Sequence, residues 1–109
     1  MVKAKLELNR VGIVTFVLIT GHTEELSCAG LSILVKTYAA IVDNNSKADF
    51  HFSKETGVSY IHIRRTKLLK TFFLRGCSLF FLSGIMALKT FNPRGIMLFI
   101  EGKEWQAQD

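Results

Sequence analysis

The chain has 109 residues and a mass of 12.3 kDa, which fits a single domain covering residues 1–109. Hydrophobic residues make up 49% of it, with nine Phe and one Pro, and this composition excludes a disordered or low-complexity chain. Fourteen Lys and Arg against nine Asp and Glu give a net charge of +5. That charge favours a polyanionic neighbourhood such as RNA, although small domains are often basic without such a partner. Two cysteines, Cys28 and Cys77, are too few for a disulfide framework and fit a reducing cytoplasm.

The first half of the chain combines strand and helix periods. Apolar residues alternate with polar ones from Val2 to Asn9, and Ile13 to Thr20 is a β-branched apolar run, so the two segments predict a hairpin. From about Leu26 the apolar residues follow helical spacing as far as Val42. The polar run 43–46 (Asp, Asn, Asn, Ser) is predicted to end this first helix as a turn.

The second half repeats the pattern. Alternating residues at 48–53 and 59–64 predict a third and a fourth strand, and Thr66 is the predicted N-cap of a second helix that runs to about Thr90. Ile96 to Ile100 predicts a fifth strand, and Glu101 to Asp109 a polar tail. The predicted fold is therefore α/β (α+β) in the order ββαββαβ, a mixed sheet with two helices packed on one face.

The predicted second helix is apolar on most of its circumference. Its charge-free stretch runs only from Gly76 to Leu88, which is short of the roughly 20 residues that a membrane span needs. We therefore expect no membrane contact and a helix buried on several sides, with a subunit interface that makes the protein a homodimer. A membrane span is the alternative.

One segment, from Gly21 to Ser32, could carry chemistry because it passes from the end of a strand into the start of a helix. A thiol in a first helical turn, such as that of Cys28, faces unpaired N–H groups and the positive end of the helix dipole, which favour the thiolate. His22 lies six residues earlier and could act as its acid–base partner. The N–H groups of Cys28, Ala29 and Gly30 offer an oxyanion site. Glu25 could orient His22 or cap the helix, and Ser32 lies one turn after Cys28 on the same face.

Each of these residues also has an ordinary interpretation. Cys28 could be a small buried hydrophobe, His22 a surface loop residue, Glu25 a favourable charge at a helix start, and Ser32 inert.

Outside this segment, Cys77 is predicted to be structural. His51 and His62 match no metal-ligand spacing, so we predict neither a metal nor a cofactor. A basic cluster is either solvated or a docking patch for a ribosomal or RNA partner; its members are Arg64, Arg65, Lys67, Lys70 and Arg75.

Gly-His, a short connection and then Cys-Ala-Gly-x-Ser at the start of an apolar helix resemble the bacterial ribosomal-processing cysteine protease family. The resemblance runs from Lys3 to about Lys103 and includes the first hairpin, the sequence His62-Ile63-Arg64 and the long second helix. It implies that Cys28 is the nucleophile and His22 the catalytic base, that Ser32 supports the site, and that Glu25 stands where the family usually has an Asp. One difference is the short connection Thr23 to Ser27, because the family normally has a longer, Gly-containing loop there.

The resemblance implies a cytoplasmic, homodimeric endopeptidase that removes the N-terminal extension of a large-subunit ribosomal protein before the ribosome assembles. The shortened connection removes part of the surface with which the family covers its substrate cleft. A second hypothesis is therefore a non-catalytic module associated with ribosomes or RNA, which keeps the fold without the peptidase activity. The two hypotheses differ in the expected reactivity of Cys28.

Overall fold

The structure is a computed structural model that describes residues 1–22, 25–53 and 55–106, without the side chains of residues 25–28. Its elements follow the predicted order, with one short strand added at the end. They are the strands β1 (Val2–Leu8) and β2 (Val14–Gly21), helix α1 (Glu25–Asn45), strands β3 (Ser46–Ser53) and β4 (Val58–Thr66), helix α2 (Thr71–Phe91, preceded by a 3-10 turn at Leu68–Lys70), and strands β5 (Ile96–Ile100) and β6 (Lys103–Trp105).

The strands form one six-stranded mixed sheet in the order β3-β4-β2-β1-β5-β6. The β1–β5 pair is parallel, and all other neighbours are antiparallel. Both helices pack on one face, whose buried residues alternate with exposed ones most regularly along β1. This core includes Ala4, Leu6, Val17, Ile61 and Leu98. The predicted fold class, a mixed sheet with two helices on one face, is therefore confirmed.

Three predicted boundaries are wrong. Residues 43–45 continue α1 instead of forming a turn: the side chains of Asn44, Asn45 and Ser46 donate hydrogen bonds to carbonyls four residues earlier in the helix and so do not form the predicted turn. Thr66 does not cap α2 but ends β4, where it pairs with Ser46; Lys70 holds the N-cap position without a side-chain cap. The predicted polar tail contains β6, which follows a two-residue turn with positive φ at both Glu101 and Gly102.

The two helices approach each other closely through small residues. A Cβ placed on Gly30 of α1 would lie 3.0 Å from Leu88, and one on Gly84 of α2 would lie 2.8 Å from Leu34. One turn beyond the Leu34–Gly84 contact, the ring of Tyr38 stacks on Phe81 at 4.5 Å. The antiparallel helix pair is therefore held together by interdigitating leucines and rings, with glycine where the other helix needs the space.

A buried hydrogen-bond network joins both helices to β2. The amide of Val14 donates to Ser78 Oγ (2.9 Å), and the hydroxyl of Tyr38 donates to the Val14 carbonyl (2.6 Å). Ser78 then donates to the Tyr38 oxygen (2.8 Å), since the Tyr38 proton is already used. Burial, partly offset by this bond, raises the pKa of Tyr38 to about 12.

The C-terminal end of α2 is fixed to the sheet by a buried lysine. Lys89 is 6% exposed, and its Nζ donates to the carbonyls of Pro93 and Ile96, both at 2.6 Å. These bonds satisfy the ammonium group where the chain turns from α2 into β5.

Helix α2 buries one face only, although the sequence predicted burial on several sides. Its buried residues are Leu74, Ser78, Phe81, Ile85 and Lys89. By length and composition alone, the stretch Leu68–Phe91 is long and apolar enough to cross a membrane. Within the domain, however, the buried face packs against α1 and the sheet. The remaining circumference and the 3-10 turn before the helix carry large apolar side chains in solvent, which are Leu68, Leu69, Phe72, Phe73, Leu79, Phe80 and Phe91.

Candidate active site

A cleft of about 490 Å³ opens where the end of β2, the first half of α1 and the β3–β4 turn meet. Its apolar wall comes from both layers of the fold and consists of Val2, Ile19, Leu31, Val35 and Phe52. Its polar rim consists of His22, Ser32, Lys36, Ser53 and Ser59. This volume lies in the range of small-molecule and peptide side-chain sites. We call it the α1 cleft.

His22 lies at the rim because β2 ends at Gly21. Gly21 has a φ of 90°, and a Cβ there would collide with the carbonyl oxygen of Met1, so the backbone requires glycine. Its amide donates to the carbonyl of Gly57 at 3.1 Å, which joins the end of β2 to the β3–β4 turn. The imidazole of His22 is exposed and lies against the same turn. The end of β2 and the β3–β4 turn thus place His22 at the rim of the cleft, with one side of its ring against Gly57.

Cys28 lies in the first turn of α1, which begins at Glu25. The side chains of Cys28 and Glu25, and all of Thr23 and Glu24, lie outside the described residues. The predicted contact between Cys28 and His22, the predicted role of Glu25 and the effect of the short connection Thr23 to Ser27 therefore stay predictions. Ser32, one turn later, is exposed and lines the cleft. Among the described residues, His22 and the α1 segment from Leu31 to Lys36 therefore border one cleft.

The start of α1 also bears on the predicted oxyanion donors. The N–H groups without a partner inside a helix are those of the N-cap and of the first three helical residues, because the N-cap carbonyl already accepts from the fourth. In α1, the helical residues of this set are 25–27. A regular helix bonds the N–H groups of Cys28, Ala29 and Gly30 to the carbonyls four residues before them. Their role as oxyanion donors therefore stays a prediction.

The described lining of the α1 cleft carries one permanently cationic side chain, that of Lys36. Among its described lining residues, the ionisable side chains are His22 and Lys36, and none is acidic. Lys36 was not identified as a site residue from the sequence, although its spacing of eight residues from Cys28 places it on the same helix face. Phe52 and Gly57 were also missed, because only the pairing of β4 with both β2 and β3 brings them to His22.

The other residues that the sequence singled out lie away from the cleft. Cys77 is a half-buried free thiol on α2. His62 pairs across the sheet with Asp49, and His51 with Tyr60, so the two histidines lie on neighbouring strands. Over the described ranges, no group of three or more His, Cys, Asp or Glu side chains could hold a metal ion. In the basic cluster, Arg64 forms a salt bridge with Asp49 at 3.1 Å.

The protein has an α+β fold with a cleft between β2 and α1. Several solved structures share this fold. The ribosomal processing protease Prp from S. aureus, in complex with a covalently linked product peptide, superposes with a TM-score of 0.75 at 18% identity, covering 93% of this chain and 100% of that one. The same protease with a substrate peptide gives 0.74 at 17% identity over the same shares of the two chains. SMU.848 from Streptococcus mutans gives 0.77 at 19% identity, covering 92% of this chain and 96% of that one.

No family model and no curated protein sequence matches the chain. The likeness is therefore one of fold, at an identity below 20% but over almost the whole of both chains. The resemblance to ribosomal-processing cysteine proteases, first drawn from the Gly-His and Cys-Ala-Gly-x-Ser segments, is confirmed at the level of the fold.

Proposed function

We propose that the protein is a cysteine endopeptidase that removes the N-terminal extension of a large-subunit ribosomal protein. The observation that carries this proposal is the α1 cleft, in which His22 borders the helix whose first turn holds Cys28. The S. aureus protease with the same fold has been solved with a covalently linked product peptide and with a substrate peptide. Sequence motif, fold and cleft thus agree on one class of reaction.

The proposed mechanism has two half-reactions. The thiolate of Cys28 attacks the scissile carbonyl carbon, and the resulting oxyanion is stabilised by the unpaired N–H groups at the start of α1. The imidazolium of His22 protonates the leaving amine, and the peptide C–N bond breaks to give a thioester on Cys28. Neutral His22 then takes a proton from water, whose oxygen attacks the thioester and releases the free acid. No cofactor or metal takes part in this proposal.

Other residues have supporting parts in the proposal. Glu25, in the first turn of α1, orients His22 or stabilises the helix start. Ser32 lines the cleft one turn after Cys28 and can hydrogen-bond the substrate backbone. Ala29 and Gly30, the small residues after Cys28, leave room for the substrate carbonyl.

We further propose that the active protein is a cytoplasmic homodimer formed through α2. Exposed residues at positions 72, 76, 79, 80, 83, 87 and 90 share one face of α2, and none of them is charged. Phe72 and Phe80 on this face are 84% and 80% exposed, while Gly76, Ser83 and Ala87 are small enough to let a second helix approach. A second copy of the same face matches this uncharged surface.

The alternative function is a non-catalytic module that binds ribosomes or RNA. One observation favours it: residues 56–100 contain seven Lys or Arg and no Asp or Glu. Such a one-sided distribution of charge suits a polyanion. The α1 cleft, which this alternative leaves without a role, makes the peptidase the leading proposal.

The two functions are distinguished by the alkylation rates of the two thiols. An active site predicts that iodoacetamide modifies Cys28 rapidly below pH 8, because an adjacent His22 imidazolium favours the thiolate, whereas half-buried Cys77 reacts slowly. Mass spectrometry of the two cysteine peptides gives both rates in one sample. His22→Ala should slow Cys28 and leave Cys77 unchanged. Slow modification of both thiols in the wild-type protein would reject the enzyme and favour the non-catalytic module.

A further inference from the structure

We propose that Lys36 determines specificity in the α1 cleft, by selecting a peptide with an acidic side chain three to four residues from the scissile bond. This inference rests on the proposed peptidase function and adds a feature of its substrate. It follows from the position of Lys36 on α1, from the charges in the cleft and from the apolar wall beside it.

The spacing along α1 gives the position of the acidic side chain. Cys28, Ser32 and Lys36 are four residues apart and follow one face of the helix, and both Ser32 and Lys36 line the cleft. At 1.5 Å per residue, the Cα atoms of Cys28 and Lys36 are separated by about 12 Å along the helix axis. An extended peptide advances about 3.3 Å per residue, so it covers this distance in three to four residues.

The charges indicate the sign of the selected side chain. Lys36 is exposed, and within the described part of the chain its ammonium group has neither a hydrogen bond nor a salt bridge. The described lining contains no carboxylate that could neutralise it, and the second ionisable group, His22, adds positive charge when protonated. A carboxylate on the bound peptide therefore gains an attraction there, and a Lys or Arg at the same place meets repulsion.

The apolar wall indicates how such a peptide is held. Leu31 and Val35 alternate with the polar rim residues of α1, and Phe52 (39% exposed) borders the cleft from β3. An apolar side chain of the peptide can be buried against this wall, which fixes the chain along the cleft. The acidic side chain then supplies discrimination more than affinity, because an exposed ion pair contributes about 0.2–1 kcal/mol, or up to about fivefold.

The test uses fluorogenic peptides that span the processing junction of the large-subunit ribosomal protein precursor. Glu, Gln or Lys is placed at the third or fourth residue on either side of the scissile bond. We expect the wild-type protein to cleave one Glu peptide faster than its Gln counterpart, by up to about fivefold in kcat/KM, and the Lys peptide more slowly still. Lys36→Glu should reverse the order, and high salt should reduce the difference.

The matched control is Lys47→Glu, which changes the net charge equally. Lys47 is exposed at the start of β3, about 17 Å along the strand from Phe52, and should leave the order unchanged. The same peptides, fluorescein-labelled, are also titrated against Cys28→Ala with and without Lys36→Glu, so that binding is measured without cleavage.

The outcomes separate the two proposals. Cleavage with the same peptide preference in wild type and Lys36→Glu would overturn the role of Lys36 and leave the peptidase intact. Charge-selective binding that Lys36→Glu reverses, without any cleavage, would keep the role of Lys36 and overturn the peptidase. Neither cleavage nor binding would overturn both.

Discussion

Gly57 lies directly against the imidazole ring of His22. A Cβ placed on Gly57 would lie 2.8 Å from Nε2 of the ring and 3.2 Å from Cε1, so there is no room for a side chain there. Gly57 has a φ of 66°, in the region that favours glycine, and its carbonyl accepts the amide hydrogen bond of Gly21. The β3–β4 turn therefore sets both the backbone and the ring position of the proposed catalytic histidine, although Gly57 takes no part in the proposed chemistry.

Gly57→Ala should reduce activity far more than it reduces stability. The added methyl group displaces the imidazole, and a displacement of about 1 Å can cost on the order of 100-fold in rate. Gly102→Ala is the matched control, because Gly102 also has a positive φ (77°) but nothing lies within 4 Å of its added Cβ. Both variants should lose about 1–2 kcal/mol in urea unfolding from backbone strain. Only Gly57→Ala should slow cleavage and the alkylation of Cys28; equal rates in both variants would contradict the positioning role.

The network of Tyr38, Ser78 and Val14 should account for a measurable part of the free energy of unfolding. Tyr38→Phe removes the donor to the Val14 carbonyl and the acceptor of the Ser78 proton, which should cost about 1–3 kcal/mol at pH 7. Ser78→Ala should cost a similar amount. Because both residues belong to one network, the double variant should lose less than the sum of the two. Strict additivity in urea unfolding would show that the hydrogen bonds are not coupled.

Tyr38 should also make stability depend on pH in alkaline solution. Its pKa is about 12 in the folded protein, against 10.0 for an unperturbed tyrosine, so the folded state keeps a proton that the unfolded state has released. The stabilisation is complete below pH 10, and about 2–3 kcal/mol of it should be lost as the pH rises to 12. The difference in unfolding free energy between wild type and Tyr38→Phe isolates this effect from other groups. A constant difference from pH 9 to 12 would contradict the raised pKa.

The exposed apolar face of α2 should form the dimer interface. Phe80→Asp places a charge at the centre of this face and should convert the dimer to a monomer in analytical ultracentrifugation at micromolar concentration. Val11→Asp is the control, because Val11 is an exposed apolar residue (45%) in the β1–β2 hairpin. A monomeric wild-type protein, or a dimer that survives Phe80→Asp, would contradict an interface through α2.

Much of the fold could be predicted because local periodicity and burial agree along most of the chain. The alternation in β1 and the helical spacing from Leu31 to Val42 correspond to one buried face each. The errors occur where long-range pairing overrides local signals: β4 extends to Thr66 because β3 pairs with it as far as Ser46. Strand β6 was missed because three residues carry no clear period and depend on pairing with β5.

The candidate site was predictable only in part, for the same reason. His22 and Ser32 could be assigned to one region because they are near in sequence and follow a recognisable motif. Gly57 and Phe52 come from the β3–β4 hairpin, and no local signal connects them with His22 before the register of β2 and β4 is known. Lys36 required the observation that the cleft continues along α1 for a further turn.

The most direct test of the account is cleavage of the large-subunit ribosomal protein precursor by the purified protein. We predict that the wild-type protein releases the N-terminal extension at one site, that Cys28→Ala is inactive, and that Cys77→Ala cleaves at the wild-type rate. Mass spectrometry of the products gives the site, and ultracentrifugation confirms that each variant is folded and has the same oligomeric state. Intact precursor after prolonged incubation with folded wild-type protein, or equal cleavage by Cys28→Ala, would contradict the account.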